Sequence, residues 1–272
     1  MENLRRISEE MQSQGYSAAA AEAKACQDII LKAIAKSPLG RNVTIKGGVV
    51  MRSITGSIRR ATQDIDLDFI HYSLDEQSIS GFIKKINCLK EFDISISGRI
   101  EELSQQEYQG KRTYITIKDS DGNSISGKID FGVHTQMDIE QEEHCFDICT
   151  NDDTVSLLIN SKEQIFTEKL RSLLKLGPFS TRYKDIFDMC YLAEIIDNGK
   201  LLKCIQRYIF DASEMRETDI NGIISRLEKI FSNRIYKEKI ERSAKSNWLG
   251  IKCSDAFGRI INRIILLQNE QF

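Results

Sequence analysis

The sequence predicts an α+β protein, with a mixed β-sheet and flanking helices in the first half and a mostly helical lobe after it. Several segments of the first half alternate apolar and polar residues with a period of two, which is typical of strands. In the second half, apolar residues recur every three or four positions, as they do in amphipathic helices. The length of 272 residues allows one large domain or two modest ones.

Composition excludes several classes of protein. Hydrophobic residues make up 41% of the chain and charged residues 29%, which is typical of a folded globular protein. The formal net charge of −2 excludes a histone-like polycation. No run of about eighteen apolar residues and no signal-peptide core is present, so we expect a cytoplasmic protein without membrane contact. Seven scattered cysteines fit reduced thiols better than a disulfide framework.

The first elements of the chain are a helix, a short strand and a second helix. Residues 18–37 have helical periodicity and are followed by Pro38. The strand NVTIK then runs into a tight turn at Gly47 and Gly48, and VVMRSITGSI is expected to form a helix. Backbone amides at such a turn can approach a phosphate closely, although a Gly-Gly pair alone is more often an ordinary turn.

Acidic residues line one face of a predicted strand. TQDIDLDFI directs its apolar side chains one way and Asp64, Asp66 and Asp68 the other. After a helix at residues 75–90, three more segments alternate, FDISISG, RTYITIKD and SISGKIDFGV, and the last of them carries Asp130 on its polar face. Neighbouring carboxylates repel one another unless a cation lies between them. A solvated sheet face is one interpretation, and a Mg²⁺ site is the other.

The second half reads as helices from about residue 150 onward, which predicts domains at 1–150 and 151–272. SKEQIFTEKLRSLLKL begins with a capping-box-like pair, Ser161 and Gln164, and RYKDIFDMCYLAEIID continues as a helix after Gly-Pro. The first domain carries 18 basic and 23 acidic side chains, and the second carries 20 basic and 17 acidic side chains.

In order and type, these segments resemble the DNA polymerase beta nucleotidyltransferase superfamily, and the flanking residues resemble its AbiEii/AbiGii toxin family. IKGGVVMRSI followed by RRATQDIDLDF is similar to that family's first motif, with Arg52 four residues after the second glycine. GKIDFGV is similar to the strand with the third carboxylate. INSKEQIFTEKLRSLL and RYKDIFDMCYL are similar to two motif helices in the second domain.

The resemblance implies a role for each matched residue. The metal ligands would be Asp64, Asp66 and Asp130, of which Asp130 would also help to deprotonate the attacking hydroxyl. The nucleotide-binding residues would be Gly47, Gly48, Arg52, Lys169 and Arg182. Lys169 would neutralise the triphosphate, and Asp185, with Asp188 as a secondary partner, would orient Lys169 or Arg182. The implied catalytic set is Asp64, Asp66, Asp130, Lys169 and Asp185.

The resemblance also implies an activity. Residues 1–150 would be a nucleotidyltransferase core that uses one or two Mg²⁺ ions to transfer a nucleoside monophosphate from an NTP to an RNA acceptor, expected at the tRNA 3′ end. That reaction would block translation in a toxin–antitoxin or phage-defence system with a separately encoded antitoxin. Two residues depart from the family pattern. Val49 stands where Ser or Thr is usual, and Lys184 stands where Arg is usual. Transfer to a protein or small-molecule hydroxyl, and a regulatory module without turnover, remain alternatives.

Two further features have a simple interpretation beside a functional one. His144, Cys145 and Cys149 are potential zinc ligands, but a fourth ligand at a fitting spacing is missing and the acidic neighbours favour a loop. Residues 226–263 contain ten basic and four acidic side chains with aromatic residues among them. They predict either a solvated helix face or a surface that holds RNA.

Overall fold

The computed structural model describes residues 3–103, 110–150 and 154–270. The chain forms two compact units, Met1–Asn160 and Ser161–Phe272. The predicted boundary between residues 150 and 151 adjoins residues 151–153, which lie outside the described residues. The strand Thr154–Ile159 belongs to the sheet of the first unit.

The first unit contains helices and one mixed sheet, which confirms the predicted fold class. Its helices are α1 (Leu4–Ser13), α2 (Ala18–Lys36), α3 (Gly47–Thr55) and α4 (Glu76–Ile86). Its strands are β1 (Val43–Lys46), β2 (Ile65–Phe69), β3 (Phe92–Ile96), β4 (Glu101–Leu103), β5 (Gly110–Asp119), β6 (Ser124–Val133), β7 (Glu142–Asp147) and β8 (Thr154–Ile159).

The sheet brings the predicted acidic strands side by side. Its order is β3-β5-β6-β2-β1-β8-β7, and β4 pairs with β5. Strand β2 runs antiparallel to β1 and parallel to β6. Ile65 and Ile129 are register partners, as are Leu67 and Phe131, so the apolar residues of both strands share one face. The predicted alternation of β2 and β6 is therefore confirmed.

The apolar face of the sheet forms the core of the first unit. Helix α2 packs against β6 and β8, and α4 packs against β3. Ser17 accepts a hydrogen bond from the amide of Ala20 and so caps α2. Because α2 lies over the sheet, twelve of its residues are buried, and this burial supplies most of its stability.

Some local predictions of the first unit need correction. Helix α1 lies in a segment where the sequence analysis predicts no helix, and it buries Leu4, Ile7 and Met11. The helix after β1 begins at Gly47 itself and ends before Gly56, which has a left-handed backbone. The acidic segment around His144 is strand β7 and not a loop, because pairing with β8 satisfies its backbone groups.

The second unit is helical, as predicted. Its helices are α5 (Lys162–Leu176), α6 (Tyr183–Leu192), α7 (Asn198–Ile205), α8 (Ile220–Phe231), α9 (Arg234–Arg242) and α10 (Cys253–Leu266). Ser161 caps α5 by accepting a hydrogen bond from the Gln164 amide at 3.1 Å, and Gly177 ends it with φ of +57°. Helix α5 packs against α6 and α7, and α10 packs against α6 and α8. Within the described part of the chain, no helix is long and apolar enough to cross a bilayer.

Candidate active site

The Gly-Gly turn joins β1 to α3 and needs glycine for two separate reasons. Gly47 has φ of +67°, a conformation that side chains disfavour. A Cβ on Gly47 would lie 2.2 Å from Asp66 Oδ2, and a Cβ on Gly48 would lie 2.5 Å from Thr62 Oγ1. The turn therefore packs directly against the Asp66 carboxylate.

Asp66 lies at the centre of the polar face of the sheet. It is the register partner of Lys46 on β1 and of Asp130 on β6. Residues paired in register on adjacent strands direct their side chains to the same face. The sheet thus brings together two of the predicted metal ligands, Asp66 and Asp130.

Basic side chains of the same unit accompany the carboxylates. Arg112 on β5 donates from Nε and Nη2 to the two oxygens of Asp130, each at 2.7 Å. This hydrogen bonding raises the pKa of Arg112 above its ordinary value. Lys128 Nζ lies 3.0 Å from Asp64 Oδ1, so cations accompany acidic groups that would otherwise repel one another.

Asp68, the second acidic residue of β2, has a cation of its own. Lys46 Nζ lies 2.6 Å from Asp68 Oδ1, and the Asp68 side chain is almost fully buried. A Cβ at Gly132 would lie 2.1 Å from the same Asp68 oxygen. Asp68 is therefore held by its ion pair beside the Asp66–Asp130 pair.

The donor set fits a magnesium ion at Asp66 and Asp130. Both offer carboxylate oxygens, and Mg²⁺ commonly takes one or two carboxylates together with substrate phosphates and water. Across residues 3–103, 110–150 and 154–270, no group of three or more His, Cys, Asp and Glu side chains is placed to hold a metal ion. Asp64 pairs with Lys128, so the three-carboxylate set remains a prediction.

Arg52 lies on α3 and is directed at α2. Its guanidinium donates to Gln27 Oε1 and, at 3.4 Å, to Asp28 Oδ1. The Gln27 amide in turn donates to the backbone oxygen of Thr62 at 3.0 Å. This placement suits the predicted supporting role of Arg52, and its predicted nucleotide contact remains untested.

Sequence analysis missed Gln27 and Asp28, the two partners of Arg52. In the structure both are almost fully buried. Asp28 Oδ2 accepts hydrogen bonds from Lys24 Nζ at 2.5 Å and from the amide of Cys149 at 2.9 Å. The available signal was a Gln-Asp pair within a helix whose other buried residues are mostly alanine and isoleucine, since buried polar groups need partners.

The second unit holds the remaining predicted catalytic residues in one cluster. Lys169 Nζ lies 2.5 Å from Asp185 Oδ1 and 2.9 Å from Asp188 Oδ2. Arg182 Nε donates to Asp185 Oδ2 at 2.7 Å. Asp185 thus contacts both of the basic residues that it was predicted to orient. Asp188 is fully buried, whereas the Arg182 side chain is mostly exposed.

The potential zinc ligands do not form a site. His144 and Cys145 are consecutive residues of β7, so their side chains point to opposite faces of the sheet. The His144 ring nitrogen Nε2 lies 2.9 Å from Ser53 Oγ. Burial raises the pKa of the Cys149 thiol above its ordinary value, which disfavours the thiolate that zinc requires.

The aromatic residues of the basic segment are not available to nucleic acid. Phe231, Tyr236 and Trp248 are each less than 10% exposed, and the Phe231 ring stacks on Phe257 with centroids 3.9 Å apart. The idea that these rings interleave with the basic residues on a surface is wrong, because they form the core of the second unit. The exposed basic side chains of the segment are Lys229, Arg234, Lys239, Arg242, Lys245, Lys252 and Arg259.

Comparisons with known proteins found a matching family model and a similar solved structure. A family model described as the nucleotidyl transferase AbiEii toxin of a type IV toxin–antitoxin system matches residues 29–247. A crystal structure of an antigenic nucleotidyltransferase-like protein from Paracoccidioides brasiliensis is similar to this chain with a TM-score of 0.48 and 16% identity, over 87% of this chain and 97% of that one. Comparison with curated proteins gave no match.

Proposed function

Because this chain belongs to the AbiEii family of nucleotidyl transferase toxins and is a nucleotidyltransferase, we propose that it transfers a nucleoside monophosphate from an NTP to a hydroxyl of RNA. We propose the 3′ end of tRNA as the acceptor. The acceptor oxygen would form a bond to the α-phosphorus, the bond from that phosphorus to the bridging oxygen would break, and pyrophosphate would leave. The acceptor proton would pass to a carboxylate oxygen of Asp130.

One observation carries the chemical part of this proposal. The Asp66 carboxylate lies against Gly47, and Asp130 is the register partner of Asp66 on the next strand. Amides at the start of a helix favour negatively charged groups. A phosphate at the Gly-Gly turn would therefore lie next to the carboxylate pair.

We propose Mg²⁺ as the metal, held by Asp66 and Asp130 with Asp64 as a further ligand. When bound, the ion would neutralise charge on the triphosphate and on the departing pyrophosphate. Arg112 would orient Asp130, since it donates to both of its oxygens. Lys169 would contribute positive charge to the triphosphate, held in position by Asp185 and Asp188.

The biological setting follows in outline from the family. A type IV toxin–antitoxin system implies an antitoxin partner and a nucleotide substrate. We propose that the protein acts in the cytoplasm, that modification of tRNA arrests translation, and that phage defence is the context in which this arrest is useful.

One observation favours a different acceptor. The four aromatic residues of the basic segment are buried, and two of its arginines, Arg234 and Arg242, lie within 4 Å of Glu238. A hydroxyl of a protein or a small molecule would need neither ring stacking nor a long basic surface. This second candidate keeps the same chemistry at the carboxylate pair.

Radiolabel transfer tests the proposal. Purified protein is incubated with Mg²⁺, each α-³²P-labelled NTP in turn and total tRNA, beside Asp66→Asn and a matched control, Asp147→Asn, whose carboxylate is exposed on β7 of the same sheet. We expect label on tRNA with the wild type and the control but not with Asp66→Asn. Label on protein or on an added small molecule would support the second candidate, and no label with any acceptor would favour a module without turnover.

A further inference from the structure

A tryptophan outside the predicted site completes the Lys169 cluster. Trp248 Nε1 donates a hydrogen bond to Asp188 Oδ1 at 3.0 Å. The other oxygen of Asp188 lies 2.9 Å from Lys169 Nζ. Lys169, Asp188 and Trp248 are all less than 10% exposed, so this chain of contacts is buried within the second unit.

The two oxygens of Asp188 have different partners, and this fixes the plane of the carboxylate. One oxygen is held by a neutral indole and the other by an ammonium group. If the indole were removed, one buried oxygen of Asp188 would lose this donor. Losing a hydrogen-bond donor in a low-dielectric interior costs free energy. Rotation that brought both oxygens toward Lys169 would reduce the cost, and it would draw the ammonium group more strongly to Asp188.

Lys169 already contacts a second carboxylate. Asp185 Oδ1 lies 2.5 Å from Lys169 Nζ, so the ammonium group stands between two negative charges. The position of Nζ depends on the balance between them. The Trp248 hydrogen bond reduces the negative charge density on the Asp188 carboxylate, and so weakens its attraction for the ammonium group, without adding a net charge.

We propose that Trp248 is a positioning residue that sets where Lys169 presents its ammonium group to the nucleotide. The inference rests on the proposed function, in which Lys169 contacts the triphosphate. Trp248 lies one residue beyond the span that the family model matches, 29–247, and 60 residues after Asp188. Nothing in the local sequence around it indicates this role.

The chain offers a direct spectroscopic probe, because Trp248 is its only tryptophan. In ¹H–¹⁵N spectra of the full chain, the single indole N–H resonance reports on the bond to Asp188. We expect Lys169→Met and Asp188→Asn to shift this resonance. The control Lys175→Met, at an exposed position of the same helix, should leave it in place.

Nucleotide binding connects the probe to function. A non-hydrolysable NTP analogue with Mg²⁺ should shift the indole resonance of the wild type and of Lys175→Met, but not that of Lys169→Met. Trp248→Phe, which keeps an aromatic ring but loses the donor, should raise KM for the NTP about tenfold while kcat stays within roughly twofold. A folding defect alone would lower the active fraction and kcat without raising KM.

The outcomes separate this inference from the proposed function. Two outcomes would overturn the role of Trp248. One is an active transferase whose indole resonance does not shift when the nucleotide binds, and the other is a Trp248→Phe variant with an unchanged KM for the NTP. A resonance that responds to the NTP in a Lys169-dependent way supports that role even where no label reaches any acceptor. In that case the failure would belong to the proposed transfer reaction.

Discussion

The Asp66 carboxylate occupies the space that a side chain on Gly47 would need, since a Cβ there would lie 2.2 Å from Asp66 Oδ2. This contact joins the turn that would hold phosphate to the carboxylate that would hold metal. A side chain at position 47 would therefore displace the carboxylate from its place beside the turn.

Replacing Gly47 with alanine tests this contact. The methyl group must displace the Asp66 carboxylate, and we expect Gly47→Ala to lower the rate of nucleotidyl transfer by at least about 100-fold, as a misplacement of about 1 Å can do. The matched control is Gly56→Ala at the other end of α3. Gly56 also has positive φ, at +62°, but a Cβ there would meet nothing within 4 Å.

The control separates backbone strain from contact with Asp66. Gly56→Ala should cost roughly 1 kcal/mol of stability, because it forces a side chain into a left-handed conformation, and it should keep most of its activity. Equal losses of activity in both variants would show that strain in α3, and not the contact with Asp66, is responsible. Urea unfolding and the radiolabel assay measure the two quantities.

In the proposed site, Arg112 would both orient Asp130 and compete with the metal for its oxygens, since it donates to both of them. Arg112→Met removes the two-point pair and should tighten Mn²⁺ binding, measured by calorimetry, by about five- to tenfold, since charge-assisted bidentate pairs are strong. Arg99→Met is the control, because Arg99 is highly exposed and lies 4.0 Å from Glu101. Mn²⁺ affinity that is unchanged or weaker in Arg112→Met would contradict the competition.

Removing Lys169 should destabilise the second unit. Lys169→Met removes the ammonium group that lies 2.9 Å from the buried Asp188 carboxylate, and breaking a buried pair in this way costs about 3–5 kcal/mol. The double variant Lys169→Met with Asp188→Asn should recover part of that loss, because the buried charge is removed as well. Denaturant unfolding measures both, with Lys175→Met as control. A loss below about 1 kcal/mol in the single variant would mean that the pair contributes little.

Asp119 makes the stability of the first unit depend on pH. Burial tends to raise its pKa, but hydrogen bonds from the Asn123 side chain and the amides of Leu4, Asn123 and Asp121 outweigh burial and lower the pKa below its ordinary value of 3.8. A depressed folded-state pKa stabilises the protein above the unfolded-state pKa, and this contribution is lost as pH falls through the folded-state value.

The corresponding variant is Asp119→Asn. We expect it to be less stable than the wild type at pH 7, with the difference shrinking as the pH falls below about 4. Asp147→Asn, at an exposed position, should follow the wild type at every pH. If the difference in free energy of unfolding between Asp119→Asn and the wild type stayed constant from pH 7 to about pH 2.5, the effect would come from packing at the α1 N-terminus and not from the Asp119 charge.

Local periodicity was enough to predict the class of fold and the faces of its strands. The alternation in TQDIDLDFI and SISGKIDFGV assigned the apolar and acidic residues of β2 and β6 to opposite faces, and the register confirms the assignment. The order of the motif blocks along the chain was enough to predict the family. Both signals are properties of consecutive residues, because a strand or helix fixes where each side chain points relative to its neighbours.

The partners of the acidic residues could not be read in this way. Pairing of β5 with β6 brings Arg112 to Asp130, and the fold of the second unit brings Trp248 to Asp188 across 60 residues. The same folding buries Phe231 and Tyr236, whose spacing among basic residues had made an RNA-holding surface one of two interpretations. Such contacts depend on which distant segments pack together, and the periodicity of any one segment is compatible with many partners.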